Sequence, residues 1–304
     1  MSPARHTPND RSYIRRLAGA PISWGICEVP GWGVQMSAGR ILPEMRDVGI
    51  RSTELGPPGF LGQTTDDIGA ALGEHDLELI GAFVPLVLHD AAGRDAMRHE
   101  ADGIASNLAK LGATRFVTAV LVDPGWSPRR ALTSGEWETM FRGFSDIDAI
   151  CGDYGLVQAI HPHVGTLVET RADVELVLAN SDVRWTLDTG HLMIGGTDPV
   201  QFAIDNFDRV AHVHLKDVSA SIATRLNAGD LTLFDAVREG IFTPLGQGDV
   251  AIADVLDVLD RGGYEGWYVL EQDVAIVGEE PAAGTGPIDA VRASVAYLRQ
   301  LALA

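Results

Sequence analysis

The sequence predicts an α/β fold of the (β/α)₈, or TIM-barrel, class, and three observations carry that expectation. Eight short apolar runs alternate with segments of helical periodicity along 304 residues, the pattern of a closed parallel barrel. Four of the runs end in side chains able to bind a metal, at Ile160-His161, Leu187-Asp188, Val213-His214 and Leu270-Glu271. The rival doubly wound sheet would show a glycine fingerprint after the first strand, and none is present. Gly246-Gln247-Gly248 comes late in the chain and reads as a turn beside the site.

The strands are expected at residues 18–24, 52–55, 77–87, 115–120, 156–160, 183–187, 210–215 and 267–270, each short, apolar and bounded by turn residues. Amphipathic helices fall between them. Val200, Ile204 and Phe207 share one helical face, as do Val255, Leu256 and Leu259, and then Ile288, Val291, Val295 and Leu298. Asp198-Pro199 supplies an N-cap and a first-turn proline, while Gly262-Gly263 supplies a stop. With 46% hydrophobic residues and no break in composition, one domain over 1–304 is expected. Its one irregularity is a long loop at about 218–250 after strand seven, read as an active-site lid or an oligomer contact.

Charge and targeting signals narrow the function. A net charge of −19 argues against a nucleic-acid partner, which needs clustered Lys and Arg, and against anionic membrane surfaces. No stretch reaches the roughly 18 apolar residues of a spanning helix, and residues 1–16 are polar and basic, unlike a signal peptide. Cys27 and Cys151 lie far apart without CxxC spacing, so a disulfide is not expected and a reducing cytoplasm is. The expected partner is a small molecule, with a homo-oligomer left open.

The chemistry is read from the strand ends, because in such barrels they converge on one face. The ligand set is His161, Asp188, His214 and Glu271. Mixed imidazole and carboxylate donors suit Mn²⁺, Co²⁺, Zn²⁺ or Fe²⁺ better than Mg²⁺ or Ca²⁺. His163 and Lys216 each stand two residues beyond a ligand and face the same side, fit for proton transfer or a substrate oxygen. His191 follows the Gly190 turn and is placed to orient a ligand or touch substrate. Trp24 is expected either as an apolar wall for a sugar-like ring or as a core-packing residue, Glu54 as a partner for a hydroxyl or for the ligands, and His89 as a pocket residue. Asp123 and Trp126 read as loop structure. No GxSxG elbow occurs and neither cysteine adjoins a histidine, which leaves acyl transfer unsupported.

At these residues the chain resembles the xylose-isomerase-like TIM barrel superfamily of sugar isomerases, epimerases and dehydratases, and within it the inosose dehydratases. The matching stretches are Ala20-Pro21-Ile22-Ser23-Trp24, Ser52-Thr53-Glu54-Leu55-Gly56, His161-Pro162-His163-Val164-Gly165-Thr166, Asp188-Thr189-Gly190-His191 and His212-Val213-His214-Leu215-Lys216-Asp217. Ala236-Val237-Arg238-Glu239-Gly240-Ile241-Phe242-Thr243 and Gly263-Tyr264-Glu265-Gly266-Trp267 extend the likeness. It implies a lyase that dehydrates a keto-inositol, scyllo-inosose, through an enediolate, with Mn²⁺ or Co²⁺ foremost and Zn²⁺ also compatible. His163 is then the expected base and Lys216 or His191 the acid, the roles being interchangeable at this level. The alternatives are a ketose isomerase or epimerase, and a related lyase acting on 3-keto-glycosides or dehydroshikimate. One departure weighs against epimerisation: the common superfamily pattern has glutamate where this chain has His161, so one of the two epimerase glutamates is gone.

Overall fold

The computed structural model describes residues 11–303, so most of the basic segment at 1–16 lies outside the described residues. Eight parallel strands close into a barrel: β1 (Leu17–Gly19), β2 (Ser52–Glu54), β3 (Glu78–Leu86), β4 (Arg115–Val120), β5 (Val157–Ile160), β6 (Trp185–Asp188), β7 (Val210–Leu215) and β10 (Tyr268–Leu270). β10 bonds to both β7 and β1, which seals the ring. Two further strands, β8 (Asp217–Val218) and β9 (Phe242–Thr243), form a separate antiparallel ribbon over the barrel end.

The helices follow in order. α1 (Ser12–Arg15) precedes β1; α2 (Ala38–Asp47), α3 (Thr65–Glu74), α4 (Arg94–Lys110), α5 (Ser134–Asp153) and α6 (Arg171–Asn180) follow β1 to β5 in turn. Thr64 with Asp67, Thr133 with Glu136 and Thr170 with Asp173 form reciprocal capping boxes at the starts of α3, α5 and α6, satisfying backbone donors that the first helical turn leaves unpaired. After β6 come the short α7 (Thr189–Ile194) and α8 (Pro199–Asp205); α9 (Ala220–Asn227) and α10 (Leu233–Arg238) lie between β8 and β9. α11 (Ile252–Gly262) precedes β10, and α12 (Pro287–Leu303) ends the described chain. Val255, Leu256 and Leu259 of α11 and Ile288, Val291, Val295 and Leu298 of α12 are all buried against the barrel, as their periodicity predicts. α11 stops at Gly263 in the left-handed conformation.

Three expectations need correction. Strand one ends at Gly19 rather than residue 24, because Pro21 has no N–H for the ladder and opens a 3₁₀ turn, Pro21–Trp24. α8 is capped by Asp198 as expected, but it ends at Asp205 and buries Phe202 and Ala203. Ile204 is 54% exposed and Phe207 belongs to a following 3₁₀ turn. The segment at 218–250 is not a bare loop, since it folds as α9, α10 and the β8–β9 ribbon.

Asp217 secures that insert. Its buried carboxylate accepts hydrogen bonds from the backbone N–H groups of Val218 at 2.9 Å, Gly246 at 2.8 Å, Gly248 at 3.0 Å and Val250 at 3.0 Å. One anion thus satisfies four donors that have no helix or sheet partner. Among the described residues no helix is long and apolar enough to cross a membrane. We expect Asp217→Asn to lower the unfolding free energy by about 2–4 kcal/mol, because an amide cannot accept all four bonds. Urea denaturation measures this, and a loss below about 0.5 kcal/mol would show that the network is dispensable.

Candidate metal centre and active site

The barrel register brings the strand ends together. Asp188 pairs with His214 across β6 and β7, and His214 with Val269 across β7 and β10. His161, just past β5, donates its backbone N–H to Thr118 O at 2.8 Å, and Glu271, just past β10, donates to Leu215 O at 3.2 Å. Both therefore stay in strand geometry with side chains turned inward. Asp188 is also the N-cap of α7: its Oδ1 accepts the His191 backbone N–H at 2.7 Å. That bond leaves Oδ2 for the centre.

Four donor atoms then face one another. His161 Nε2 lies 3.0 Å from His214 Nδ1, 3.4 Å from Asp188 Oδ2 and 3.9 Å from Glu271 Oε2. His214 Nδ1 lies 3.6 Å from Asp188 Oδ2 and closer still to Glu271 Oε2. Ligands at about 2.1 Å from one ion stand roughly 3.0–3.4 Å apart, so these separations frame a single cation. Asp188 Oδ2 and Glu271 Oε2 are buried without a hydrogen bond, offset by the Lys216 ammonium at 3.5 and 3.4 Å, and a further cation between them would stabilise both. The donor set fits a divalent ion of mixed nitrogen and oxygen preference.

A second layer holds His214. Glu54 Oε1 accepts from His214 Nε2 at 3.0 Å and from His212 Nε2 at 2.8 Å. With Nε2–H of His214 bonded to this carboxylate, Nδ1 is left turned to the centre. Burial alone would push the Glu54 carboxyl up, yet His214 and His212 hold it down at about 2. Burial likewise opposes charge on His214, but Glu271 and Glu54 raise it well above the usual imidazole range. His161 has no such support, because its Nδ1 is buried without a partner.

Lys216 fills the other side, wholly inside the protein. Its Nζ lies 2.9 Å from Asp273 Oδ1, 3.4 Å from Glu271 Oε2, 3.5 Å from Asp188 Oδ2 and 2.9 Å from His191 Nε2. Burial disfavours the ammonium, but Asp188, Asp273 and Glu271 outweigh it and raise its pKa. The stem passes over Gly190, where a Cβ would come within 2.7 Å of Lys216 Cγ, so this turn requires glycine. Thr189 Oγ1 accepts the Lys216 N–H at 2.9 Å and donates to Lys216 O at 2.8 Å, replacing the lost strand partner.

His163 lies where centre and cavity meet. Its Nδ1 is 2.8 Å from Val164 O, an acceptor only, so Nδ1 carries the proton and Nε2 keeps a lone pair. Burial, with the charges of His161 and Lys216, lowers its pKa to about 3, which keeps the ring neutral. Its ring stacks on His191 at 4.0 Å and borders Phe83 at 5.8 Å and Trp126 at 6.1 Å. Glu54, His163, Glu271 and Asp273 border a cavity of about 1240 Å³ whose walls are mainly apolar, with Phe83 and Trp126 among them.

The structure thus gathers His161, Asp188, His214, Glu271, His163, Lys216, His191 and Glu54 into one cluster. It does not bring in Trp24 or His89. Trp24 is fully buried away from the cavity, its Nε1 donating to Glu44 Oε2 of α2 at 3.0 Å, because the early 3₁₀ turn rotates it outward. His89 is buried beyond the end of β3 and does not line the cavity; burial and then Arg130 lower its pKa. Sequence reasoning missed Asp273, although it stands two residues beyond Glu271, as His163 does beyond His161. It also set aside Trp126, which the Asp123 turn holds at φ 56 beside His163.

Glu271 and Glu54 favour the protonated His214 ring, so an ion binding Nδ1 competes with a proton there. We expect proton release on Mn²⁺ binding at pH 7 and an affinity that falls as pH falls. Calorimetry in two buffers of different ionisation enthalpy reads this directly; heats independent of the buffer would show that Nδ1 carries no proton before the ion binds.

Comparison with known proteins finds relatives along most of the chain and solved structures of the same fold. The chain is 31% identical over 278 residues to the inosose dehydratase of Geobacillus kaustophilus (strain HTA426), covering 86% of this chain and 89% of that one. It is 33% identical over 270 residues to the rhizopine catabolism protein MocC of Rhizobium meliloti, covering 85% and 81%. Among solved structures, the probable 3-DHS dehydratase AsbF from Bacillus anthracis superposes with a TM-score of 0.68 at 16% identity, covering 93% of this chain and 98% of that one. The IOLI protein with a zinc atom also gives 0.68, at 17% identity, covering 94% and 98%. The family model described as xylose isomerase-like TIM barrel matches residues 42–301. The chain belongs to the xylose isomerase-like TIM barrel family.

Proposed function

We propose that this protein is a metal-dependent hydro-lyase that removes water from a cyclic keto-polyol of the inosose type. The observation that carries the reading is the meeting of four metal-capable donors with a neutral histidine, His163, whose free Nε2 adjoins the same cavity. The inosose dehydratase relative, at 31% identity over most of both chains, supports the substrate class.

His161, Asp188, His214 and Glu271 would hold the ion. Bound there, a divalent ion supplies a Lewis acid for the negative charge that develops on a ketone oxygen when the neighbouring carbon loses a proton. His163 Nε2 accepts that α-proton, and the Nδ1–H bond to Val164 O keeps the ring aimed while its charge changes. Lys216, or His191 through its contact with Lys216 Nζ, donates a proton to the hydroxyl on the next carbon, which leaves as water. The C–H electrons become the new double bond as the C–O bond breaks, so no oxidant is required. Phe83 and Trp126 present apolar surface to the C–H face of the ring. A single neutral base on one side suits elimination better than epimerisation, which needs a proton returned to the opposite face.

We expect metal-stripped protein to be inactive on scyllo-inosose, and Mn²⁺ or Co²⁺ to restore a product absorbing in the near ultraviolet. A folded protein that turns over ketoses without any absorbance change would support the epimerase reading. Inactivity in every metal form would falsify the lyase. His163→Asn should lower kcat by about 10²–10⁴-fold while Mn²⁺ affinity stays within about twofold. A matching loss of metal affinity would place His163 among the ligands instead.

A further inference from the structure

Three carboxylate oxygens aim at one atom. Asp188 Oδ2, Glu271 Oε2 and Asp273 Oδ1 all approach Lys216 Nζ within 3.5 Å. All three are buried without a hydrogen-bond partner, so the ammonium meets them as charge. His191 Nε2 completes the group at 2.9 Å. Three anionic oxygens and one imidazole nitrogen are what a divalent cation gathers. The same region holds a second group of three possible donors. His163, His191 and Asp273 offer ligand atoms within 4.8 Å of one another, and two of these residues touch or flank the ammonium. The position is built for its occupant: Gly190 clears a path for the stem, and the Phe242 ring lies 4.9 Å from Nζ.

We infer that the Lys216 ammonium occupies a second cation position, formed by His163, His191 and Asp273, and thereby limits this centre to one metal ion per chain. The inference rests on the metal centre proposed above. The lysine then provides a second positive charge that chelators cannot remove and that the stem fixes in place. Its charge lies beside Asp273 at the cavity border, where a hydroxyl leaving the substrate would need it. With a neutral, shorter side chain, His191 and Asp273, each 2.9 Å from Nζ, and His163 beside them are free to approach an ion at the roughly 2.1 Å of a metal bond.

The test is metal stoichiometry, read independently of turnover. Wild-type protein, Lys216→Ala, Lys216→Gln and Lys216→Arg are loaded with Mn²⁺, freed of excess by gel filtration and assayed for bound metal, with circular dichroism confirming the fold. We expect one ion in wild type and in the arginine variant, and two in the alanine variant, with a spin-coupled Mn²⁺ spectrum from neighbouring ions. Lys216→Gln gives the same reading should the alanine variant not fold. One ion in the folded neutral variants, or two in wild type, overturns this inference and leaves the first centre standing. No ion in wild type overturns the metal centre and the inference with it.

Discussion

The mouth of this barrel is governed by the need to neutralise carboxylates taken out of water. Glu54, Asp188, Glu271 and Asp273 crowd the space around His214 and Lys216. An isolated buried charge costs several kcal/mol, so each needs a compensating positive or donor group. The local backbone can be understood from that demand. α7 begins directly at Asp188, so that one oxygen is used as a cap and the other is spared. β7 breaks at Lys216, where Thr189 takes over the ladder bonds and the side chain can turn inward.

The two histidines that reach the centre are supported unequally. His214 is backed by an ionised carboxylate, which raises ligand basicity and fixes orientation. His161 is held by its backbone and by edge contact with Phe83 at 5.6 Å, with no acceptor behind its Nδ1. The Asp188, His214 and Glu271 side of the centre is therefore the rigid one. The His161 side is held instead by ring packing, against Phe83, His163 and His191 at 5.5–5.6 Å.

Much of this was legible in the chain because strand period and strand ends obey simple geometry. Residues two apart face the same way, and the ends of parallel strands meet; those rules alone gather His161, His163, Asp188, His214, Lys216 and Glu271. The same rule reached Asp273, which went unused because a carboxylate beside another carboxylate reads as surface until its lysine is seen. Trp24 misled because the matching segment looks like a strand, whereas Pro21 ends the ladder and turns the indole toward Glu44. The role of Glu54 beneath two histidines depends on partners about 160 positions away, which no local pattern contains. The insert after β7 looked formless because its order comes from one buried anion collecting scattered backbone donors.

That anion has a neighbour of consequence. Asp217, which secures the insert, is bonded to Lys216, whose ammonium lies among the carboxylates of the centre. The first residue points outward to four amide groups and the second inward to three acids, across a single peptide bond. The β8–β9 ribbon therefore begins at the residue next to the lysine stem. Insert and centre thus share one peptide bond, with the anchor of the first and the ammonium of the second on adjacent residues.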